Sequence, residues 1–234
     1  MDQIRDGLVR TAGGIAVSLT TPELHRQPWT RIFAAALSGT PCDVIWSDGS
    51  ARALPMASWV QAADATDRLL LASCVGATVD IGCGPGRMSA QLVLDHHVVL
   101  GIDVVPEAVA QARARGVGAL RRDVFGPVPA EGRWETALLA DGNIGIGGDP
   151  RRLLRRVRKL LGPGGRAVVE LAPYGAGLNI GTAALSAGGQ RSDPFPWAVV
   201  GADVIAPLAA GVGFAVSATH EHANRWWTVL MRED

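Results

Sequence analysis

Cysteine is scarce in this chain of 234 residues, which contains Cys42, Cys74 and Cys83. An odd number of cysteines without the spacing of metal ligands predicts neither a disulfide framework nor a zinc site. Disulfide-dependent proteins belong to oxidising compartments, so we expect this chain to work in the reducing cytoplasm.

Excess charge of either sign is also missing, because 22 basic residues balance 22 acidic ones. Such a chain lacks the positive field that gathers nucleic acids or acidic membranes. The first residues, MDQIRDGLVRTAGG, contain no long apolar core, which argues against a secretory signal. The apolar stretch that begins at Trp197 is broken by Asp203 and Pro207, so it predicts a helix and a buried strand rather than a membrane span. We therefore expect a small-molecule partner, with neither nucleic acid nor a membrane.

Strands and helices are predicted to alternate from Ala77 onward, which is typical of βαβ units in a parallel sheet. Two later segments, GFAVSATHE and RWWTVLMRE, lie close together and predict an antiparallel hairpin at the sheet edge. The pattern indicates an α/β fold with a doubly wound, mostly parallel, seven-stranded Rossmann-like sheet and an antiparallel C-terminal hairpin. The other five predicted strands are ATVDI, HVVLGID, ALRRDV, TALLAD and RAVVEL.

The first 75 residues follow a different pattern. They contain two helix-like pieces, PELHRQPWTRIFAAAL and MASWVQAADATDRLLLAS, joined by GTPCDVIWSDGSARALP. We expect residues 1–75 to form a helical flank that covers the sheet edge, a lid over the ligand site, or both. Residues 76–234 would then form the ligand-binding domain.

The stretch VDIGCGPGR places Gly82, Gly84 and Gly86 directly after Asp80, which closes a predicted strand. In open α/β sheets ligands bind beyond the carboxyl ends of strands, and the first strand-to-helix turn commonly holds them. Asp103 ends the second strand, where a carboxylate can accept hydrogen bonds from both hydroxyls of a ribose. A dinucleotide fingerprint would require glycine where this chain has Arg87, but a nicotinamide-dependent oxidoreductase stays as an alternative.

With alternate glycines and an acid two residues before the first, this stretch resembles motif I of class I S-adenosylmethionine-dependent methyltransferases. The resemblance runs from about Val79 to Glu170 and implies S-adenosylmethionine as cofactor and S-adenosylhomocysteine as product. It implies that the glycines approach the methionine and ribose portions, that Asp80 orients the methionine ammonium, and that Asp103 holds the ribose hydroxyls. The cofactor-binding residues implied in this way are Asp80, Gly82, Gly84, Gly86, Asp103, Val104, Asp123, Val124, Asp141, Gly142 and Asn143.

Two further roles follow from the same resemblance. Asp123 would accept from the adenine amino group while the Val124 amide reaches a ring nitrogen. The segment ADGNIGIGG matches the fourth-strand motif near the sulfonium, which puts Asp141, Gly142 and Asn143 beside the methyl group.

The expected function is methyl transfer to a small molecule, with oxygen as the first expected acceptor and nitrogen or carbon next. The fourth strand ends in DGNI and lacks the two prolines and aromatic that often mark nucleobase or glutamine N-methylation. The segment LAPYG after Glu170 lacks the carboxylate cluster of a metal-assisted catechol enzyme, so we expect no metal. Two alternatives remain: a protein that binds S-adenosylmethionine without transferring methyl, as a sensor or a non-methylating catalyst, and the oxidoreductase.

The catalytic base is open at this stage, with Tyr174, His25, His220 and His222 as candidates. Tyr174 opens the long segment 174–197, which predicts either a substrate-facing loop or disorder. His220 and His222 alternate on a predicted strand and would share one face, with a solvated hairpin end as the alternative interpretation.

Overall fold

The computed structural model describes residues 27–234 together with two short strands at 8–10 and 16–18. The helices are α1 (Trp29–Leu37), α2 (Met56–Trp59), α3 (Ala65–Leu71), α4 (Arg87–Leu94), α5 (Pro106–Ala114), α6 (Pro150–Leu160) and α7 (Ile205–Ala210). The strands are β1 (Leu8–Arg10), β2 (Ala16–Ser18), β3 (Cys42–Trp46), β4 (Ala51–Ala53), β5 (Thr78–Ile81), β6 (Val99–Asp103), β7 (Ala119–Arg121), β8 (Trp134–Leu139), β9 (Leu161–Leu171), β10 (Leu178–Ala187), β11 (Gln190–Arg191), β12 (Phe195–Val200), β13 (Phe214–His222) and β14 (Arg225–Arg232).

The main sheet has seven strands in the order β13-β14-β9-β8-β5-β6-β7. Strands β5 to β9 pair in parallel, whereas β14 pairs antiparallel with both β9 and β13. The strand order reverses direction at β5, so the turns after β5 and β8 flank the crevice in which this kind of sheet binds ligands. The predicted fold class is thereby confirmed.

Both faces of this sheet are buried, which explains why its strands read as continuous apolar runs rather than alternating ones. Leu139 and Val169 belong to a core cluster with Leu153 and Leu154 of α6. Their immediate neighbours along the two strands, such as Leu138, point to the opposite face and pack in a second cluster against α3 and α4. Because side chains alternate between the two faces of a strand, successive residues pack against two separate layers of helices.

The C-terminal hairpin turns through Ala223 and Asn224, which both have positive φ, at 49° and 62°. Two consecutive left-handed residues form a turn whose twist matches that of the strands on either side. The turn lies beyond the carboxyl end of β9, so it brings Arg225, the first residue of β14, to the ligand edge of the main sheet.

A second, smaller sheet combines chain segments from before and after the parallel strands. Its order is β11-β10-β3-β4, and β12 pairs with β10. The joining segment between the N-terminal helices thus forms strands. The prediction of a loop over 174–197 is wrong, because β10 and the first half of β12 occupy this segment. The sequence does not predict β10 (LNIGTAALSA) because it is rich in alanine and small polar residues, which have weak strand propensity. The strand is stabilised by pairing with β3 and β12 and by burial of Ala183 and Leu185.

Helix α1 packs the second sheet against the loop that follows β6. Ile32 and Ala36 of α1 share a buried cluster with Val105 and Ala108 at the start of α5. The predicted N-terminal helices are therefore present in the described part of this segment, and they lie against a predicted ligand loop. A domain division at residue 75 stays a prediction, as does the lid role of residues 1–75. Across the residues that the structure describes, no helix is both long enough and apolar enough to span a membrane.

The three cysteines are buried free thiols. Burial raises the pKa of Cys74 to about 12, and it raises the pKa values of Cys42 and Cys83 as well. All three side chains behave as small apolar groups in the core.

Candidate active site

The glycine turn links β5 to α4, and all three of its glycines have left-handed backbones, with φ of 70°, 53° and 85° for Gly82, Gly84 and Gly86. A Cβ on Gly82 would lie 2.7 Å from the Asn143 side chain, and one on Gly86 would lie 2.8 Å from the Cβ of Ala112. A Cβ on Gly84 would meet nothing within 4 Å among the described residues. Gly82 and Gly86 therefore serve close packing, whereas Gly84 presents backbone to space that a ligand can approach.

Asp103 holds the turn from the neighbouring strand. One carboxylate oxygen accepts a hydrogen bond from the Gly84 amide at 3.0 Å, and the other accepts from the Val105 amide at 2.8 Å. A carboxylate has about four acceptor positions. Two remain for a ligand, and the role of Asp103 in holding two hydroxyls stays a prediction. Burial raises the pKa of Asp103 above its usual value, against the effect of the backbone amides of Val105, Gly84 and Val104.

Asp80 lies beneath the turn and is almost completely buried, with 1% of its surface exposed. Its carboxyl group accepts a hydrogen bond from the Ser89 hydroxyl at 2.6 Å. Burial raises the pKa of Asp80 to about 7; Asp141 and Asp103 act in the same direction, while Ser89 and Arg87 oppose it. Asp80 thus changes its charge near neutral pH.

The loop after β8 is joined to the glycine turn by Asn143. Its side-chain amide donates to the carbonyl oxygens of Ile81 and Gly82, both at 2.9 Å. Asp141 and Gly142 precede it with φ of 54° and 79°. Gly142 tolerates this conformation, but a left-handed aspartate is strained, and such residues are concentrated at functional sites.

A buried ionic network adjoins Asp141 and was not predicted. Arg87, the first residue of α4, donates to Asp67 of α3 and, at 2.6 Å, to Asp141. Arg225 donates to Asp67 at 2.6 Å and to Glu170 at 2.7 Å. Glu170 in turn accepts the backbone amide of Asp141 at 2.7 Å. Three carboxylates and two guanidinium groups therefore fix the position of the loop after β8.

The ionisation of the carboxylates in this network depends on burial and on the neighbouring guanidinium groups. Although burial opposes the shift, the guanidinium groups of Arg87 and Arg225 keep the pKa of Asp67 below its usual value. Burial raises the pKa of Asp141 above its usual value, and Arg87 opposes that shift. With all five groups ionised, the network carries one excess negative charge at the ligand edge of the sheet.

Asp123 and Val124 follow β7 on the far side of the glycine turn. Asp123 is exposed and accepts a hydrogen bond from the Phe125 amide at 2.9 Å, whereas Val124 is buried in the main core. The structure thus places these two residues at the same sheet edge as Asp80 and Asp103, one strand further out.

Two of the predicted bases, His220 and His222, lie on β13 at the far edge of the main sheet. Tyr174 follows β9, is 70% exposed, and has its ring 6.2 Å from that of Trp226. His222 ends β13, four strands from β5, which corresponds to about 19 Å across the sheet. His220 stacks on Trp227 at 5.3 Å. His25 lies outside the described residues.

A metal centre is not apparent in the part of the chain that the structure describes, where no group of three or more His, Cys, Asp or Glu side chains is arranged to hold an ion.

Three solved structures share this fold. A SAM-dependent methyltransferase from Bacteroides fragilis, in complex with S-adenosyl-L-homocysteine, aligns with a TM-score of 0.74 and 19% identity over 90% of this chain and 97% of its own. The 1,6-didemethyltoxoflavin-N1-methyltransferase of Burkholderia thailandensis aligns with a TM-score of 0.58 and 17% identity, covering 88% and 89%. The glycopeptide N-methyltransferase MtfA aligns with a TM-score of 0.57 and 16% identity, covering 74% and 95%. No match was found among curated protein sequences.

Residues 78–165, from β5 into β9, match the family model of a methyltransferase domain. This part of the chain thus matches a methyltransferase domain, and the fold is shared with S-adenosylmethionine-dependent methyltransferases of known structure. The match confirms the resemblance seen in VDIGCGPGR. Within the methyltransferase domain, the roles of individual residues stay predictions.

Two residues of the ionic network, Arg87 and Glu170, could have been recognised from the sequence. Arg87 stands inside the glycine stretch, at a position where a solvated arginine would be unusual, and Glu170 ends a predicted strand at the ligand edge. Their partners Asp67 and Arg225 are 158 residues apart, so no local pattern links them.

Proposed function

We propose that the methyltransferase domain transfers a methyl group to a small-molecule acceptor, with oxygen as the first expected acceptor atom and nitrogen or carbon next. Two of the similar structures are N-methyltransferases by name, which supports nitrogen as an alternative acceptor atom. The sulfonium of S-adenosylmethionine supplies an already activated methyl group. The protein's own contribution is therefore to align the acceptor and exclude water.

The proposal rests on two neighbouring features. Among the described residues, the space beside the Gly84 backbone is empty, and the Asp103 carboxylate next to it accepts two hydrogen bonds and has acceptor positions left for a ligand. The Gly84 backbone is accessible at a positive φ that few other residues adopt, and the amide of the same residue anchors Asp103 at 3.0 Å. A ligand that approaches Gly84 therefore meets the two remaining acceptor positions of Asp103. This arrangement fits a ribose with two adjacent hydroxyls.

The charge of the site fits the same cofactor. The network around Arg87 carries one excess negative charge, and Asp80 beneath the turn can add another near neutral pH. S-adenosylmethionine carries a sulfonium, an ammonium and a carboxylate group and so has one net positive charge, which a negatively charged edge of the sheet favours electrostatically. Asp123 and the Val124 amide would bind the adenine.

Asp141 is the residue we assign to the acceptor side. It lies at the end of β8, keeps 28% of its side chain exposed, and is fixed by Arg87 and by the bond from its own amide to Glu170. A carboxylate held in this way can accept a hydrogen bond from the acceptor's O–H or N–H and so orient its lone pair.

Calorimetric titration tests the cofactor assignment. We expect binding of S-adenosylmethionine and S-adenosylhomocysteine and no binding of NAD. Asp103→Ala should weaken S-adenosylmethionine binding by roughly 1.5 to 3 kcal/mol, because it removes charge-assisted hydrogen bonds.

The matched control is Asp95→Ala, which removes an exposed carboxylate after α4 and should leave the affinity unchanged. An unchanged dissociation constant in folded Asp103→Ala would remove Asp103 from the site. Binding of NAD alone would overturn the proposal.

A further inference from the structure

Five aromatic rings form a continuous row next to the proposed acceptor side. Trp59 of α2 contacts Phe33 of α1 at 6.0 Å between ring centres, and Phe33 contacts Trp29 at 6.4 Å. Trp29 continues to Phe195 of β12 at 5.1 Å, and Phe195 to Trp197 at 6.1 Å. We call these five residues the aromatic row. Three separate elements contribute to it.

The two ends of the aromatic row meet the loop after β8. At one end, the Trp59 side chain lies within hydrogen-bonding reach of the Asp141 carboxylate; burial raises the pKa of Asp141 above its usual value, and the contact with Trp59 opposes that shift. At the other end, Trp197 pairs with Ile146, and its indole nitrogen lies only 2.6 Å from where a Cβ on Gly145 would be. The row therefore spans the segment 141–146, which is where the acceptor is expected.

The aromatic row differs from the core beneath it. Ile32, Val44 and Val105 of the underlying cluster are almost completely buried, whereas all five rings keep part of their surface exposed. Large aromatic side chains such as tryptophan are rarely buried completely, so their exposed parts are available for contact with a ligand. Partly exposed rings beside a polar anchor are typical of the walls of small-molecule sites.

We infer that the aromatic row is the wall of the acceptor site and selects a planar aromatic acceptor that directs its hydroxyl or amino group at Asp141. Ring faces and edges along the row offer stacked and edge-to-face contacts, which a saturated ring cannot reproduce. The cluster behind the row is apolar, so the body of the acceptor is uncharged. This inference rests on the proposed function.

A pair of probes with one carbon skeleton tests the inference. 2-Naphthol is planar and aromatic, and decahydro-2-naphthol is its saturated counterpart with a hydroxyl on the same carbon. Each is titrated into protein saturated with S-adenosylhomocysteine. We expect 2-naphthol to bind at least tenfold more tightly, and we expect the preference to fall below about threefold in Trp59→Leu and Trp29→Leu.

Two further variants separate stacking from general packing. Trp59→Phe keeps a ring and should retain the preference. Trp46→Leu should also retain it, because Trp46 packs against the same apolar cluster without belonging to the row. Thermal unfolding and the affinity for S-adenosylhomocysteine, measured on every variant, show which of them are folded and competent.

The outcomes are distinguishable. Equal binding of the two probes, binding of neither, or a preference that survives in folded Trp59→Leu and Trp29→Leu would overturn the aromatic wall while leaving the proposed function intact. Failure of wild-type protein to bind S-adenosylhomocysteine would overturn the proposed function, and this inference with it.

Discussion

Gly84 and Gly86 have the same kind of backbone and different surroundings. Both φ values are positive, but a Cβ on Gly84 would face open space within the described part of the chain, whereas a Cβ on Gly86 would lie 2.8 Å from the Cβ and 2.9 Å from the backbone Cα of Ala112. One glycine of the motif is therefore available to a ligand, and the other allows α4 and α5 to pack closely. Substitution can separate the two roles.

We predict that Gly84→Ala mainly impairs binding and Gly86→Ala mainly impairs folding. A left-handed alanine costs about 1–2 kcal/mol in either position. The new methyl of Gly84→Ala occupies the ligand side, so affinity for S-adenosylmethionine should fall at least tenfold, about 1.4 kcal/mol. Gly86→Ala adds overpacking of about 1–3 kcal/mol. Urea unfolding and calorimetry measure both quantities, and wild-type affinity in Gly84→Ala would refute the assignment.

Asp80 makes stability depend on pH. Its pKa is about 7 in the folded protein against 3.8 for an ordinary aspartate, so the folded state holds its proton more tightly than the unfolded state. The stabilisation is fully present below about pH 4 and is lost as pH rises through about 7, at up to about 1.4 kcal/mol per pH unit from this group.

Asp80→Asn should therefore reduce the slope of the unfolding free energy between pH 5 and 7, because asparagine stays neutral and still accepts the Ser89 hydrogen bond. Asp95→Asn, at an exposed position, should leave the slope as in the wild type. Urea unfolding at half-unit pH steps gives the comparison. Identical slopes for wild type and Asp80→Asn would show that Asp80 does not titrate in this range.

Four elements from distant parts of the chain meet in the ionic network. Helices α3 and α4 contribute Asp67 and Arg87, and the adjacent strands β9 and β14 contribute Glu170 and Arg225. Asp67 also closes a capping box with Asp64 at the start of α3. The same carboxylate thus starts a helix and binds two guanidinium groups, which fixes α3 relative to the glycine turn.

Removal of Arg225 should be costly, because it leaves Asp67 and Glu170 buried with fewer partners. We predict that Arg225→Met lowers the unfolding free energy by about 3 kcal/mol. Glu131→Ala breaks a more exposed pair with Arg156 and should cost at most about 1 kcal/mol. Urea unfolding of both variants decides the matter, and equal losses would mean that the network contributes no more than a surface pair.

The parallel strands could be predicted from the sequence because each carries a local signal, an apolar run closed by an acid or a glycine. Asp80 and Asp103 were placed correctly at strand ends for the same reason. The second sheet and the network could not be predicted. The alanine-rich β10 depends on partners far away in sequence, and Asp67 meets Arg225 only after the fold has formed.

The parallel core carries one proposed cofactor site at the carboxyl ends of its strands, so binding of the cofactor or its product should stabilise the folded protein. At a ligand concentration one hundred times the dissociation constant, S-adenosylhomocysteine should add about 2.7 kcal/mol. For a chain of this size that corresponds to a rise in Tm of about 5–10 °C. Scanning calorimetry with NAD as the comparison ligand tests this, and an equal rise with NAD would contradict it.

The burial of Cys42, Cys74 and Cys83 has a practical use. Thiolates are the reactive form, and a raised pKa keeps these three side chains as thiols at neutral pH. Maleimide reagents should therefore modify the folded wild-type chain slowly. A cysteine introduced at an exposed position, such as Asp48 in the β3–β4 turn, can then carry a fluorophore or spin label selectively, without replacement of any native cysteine.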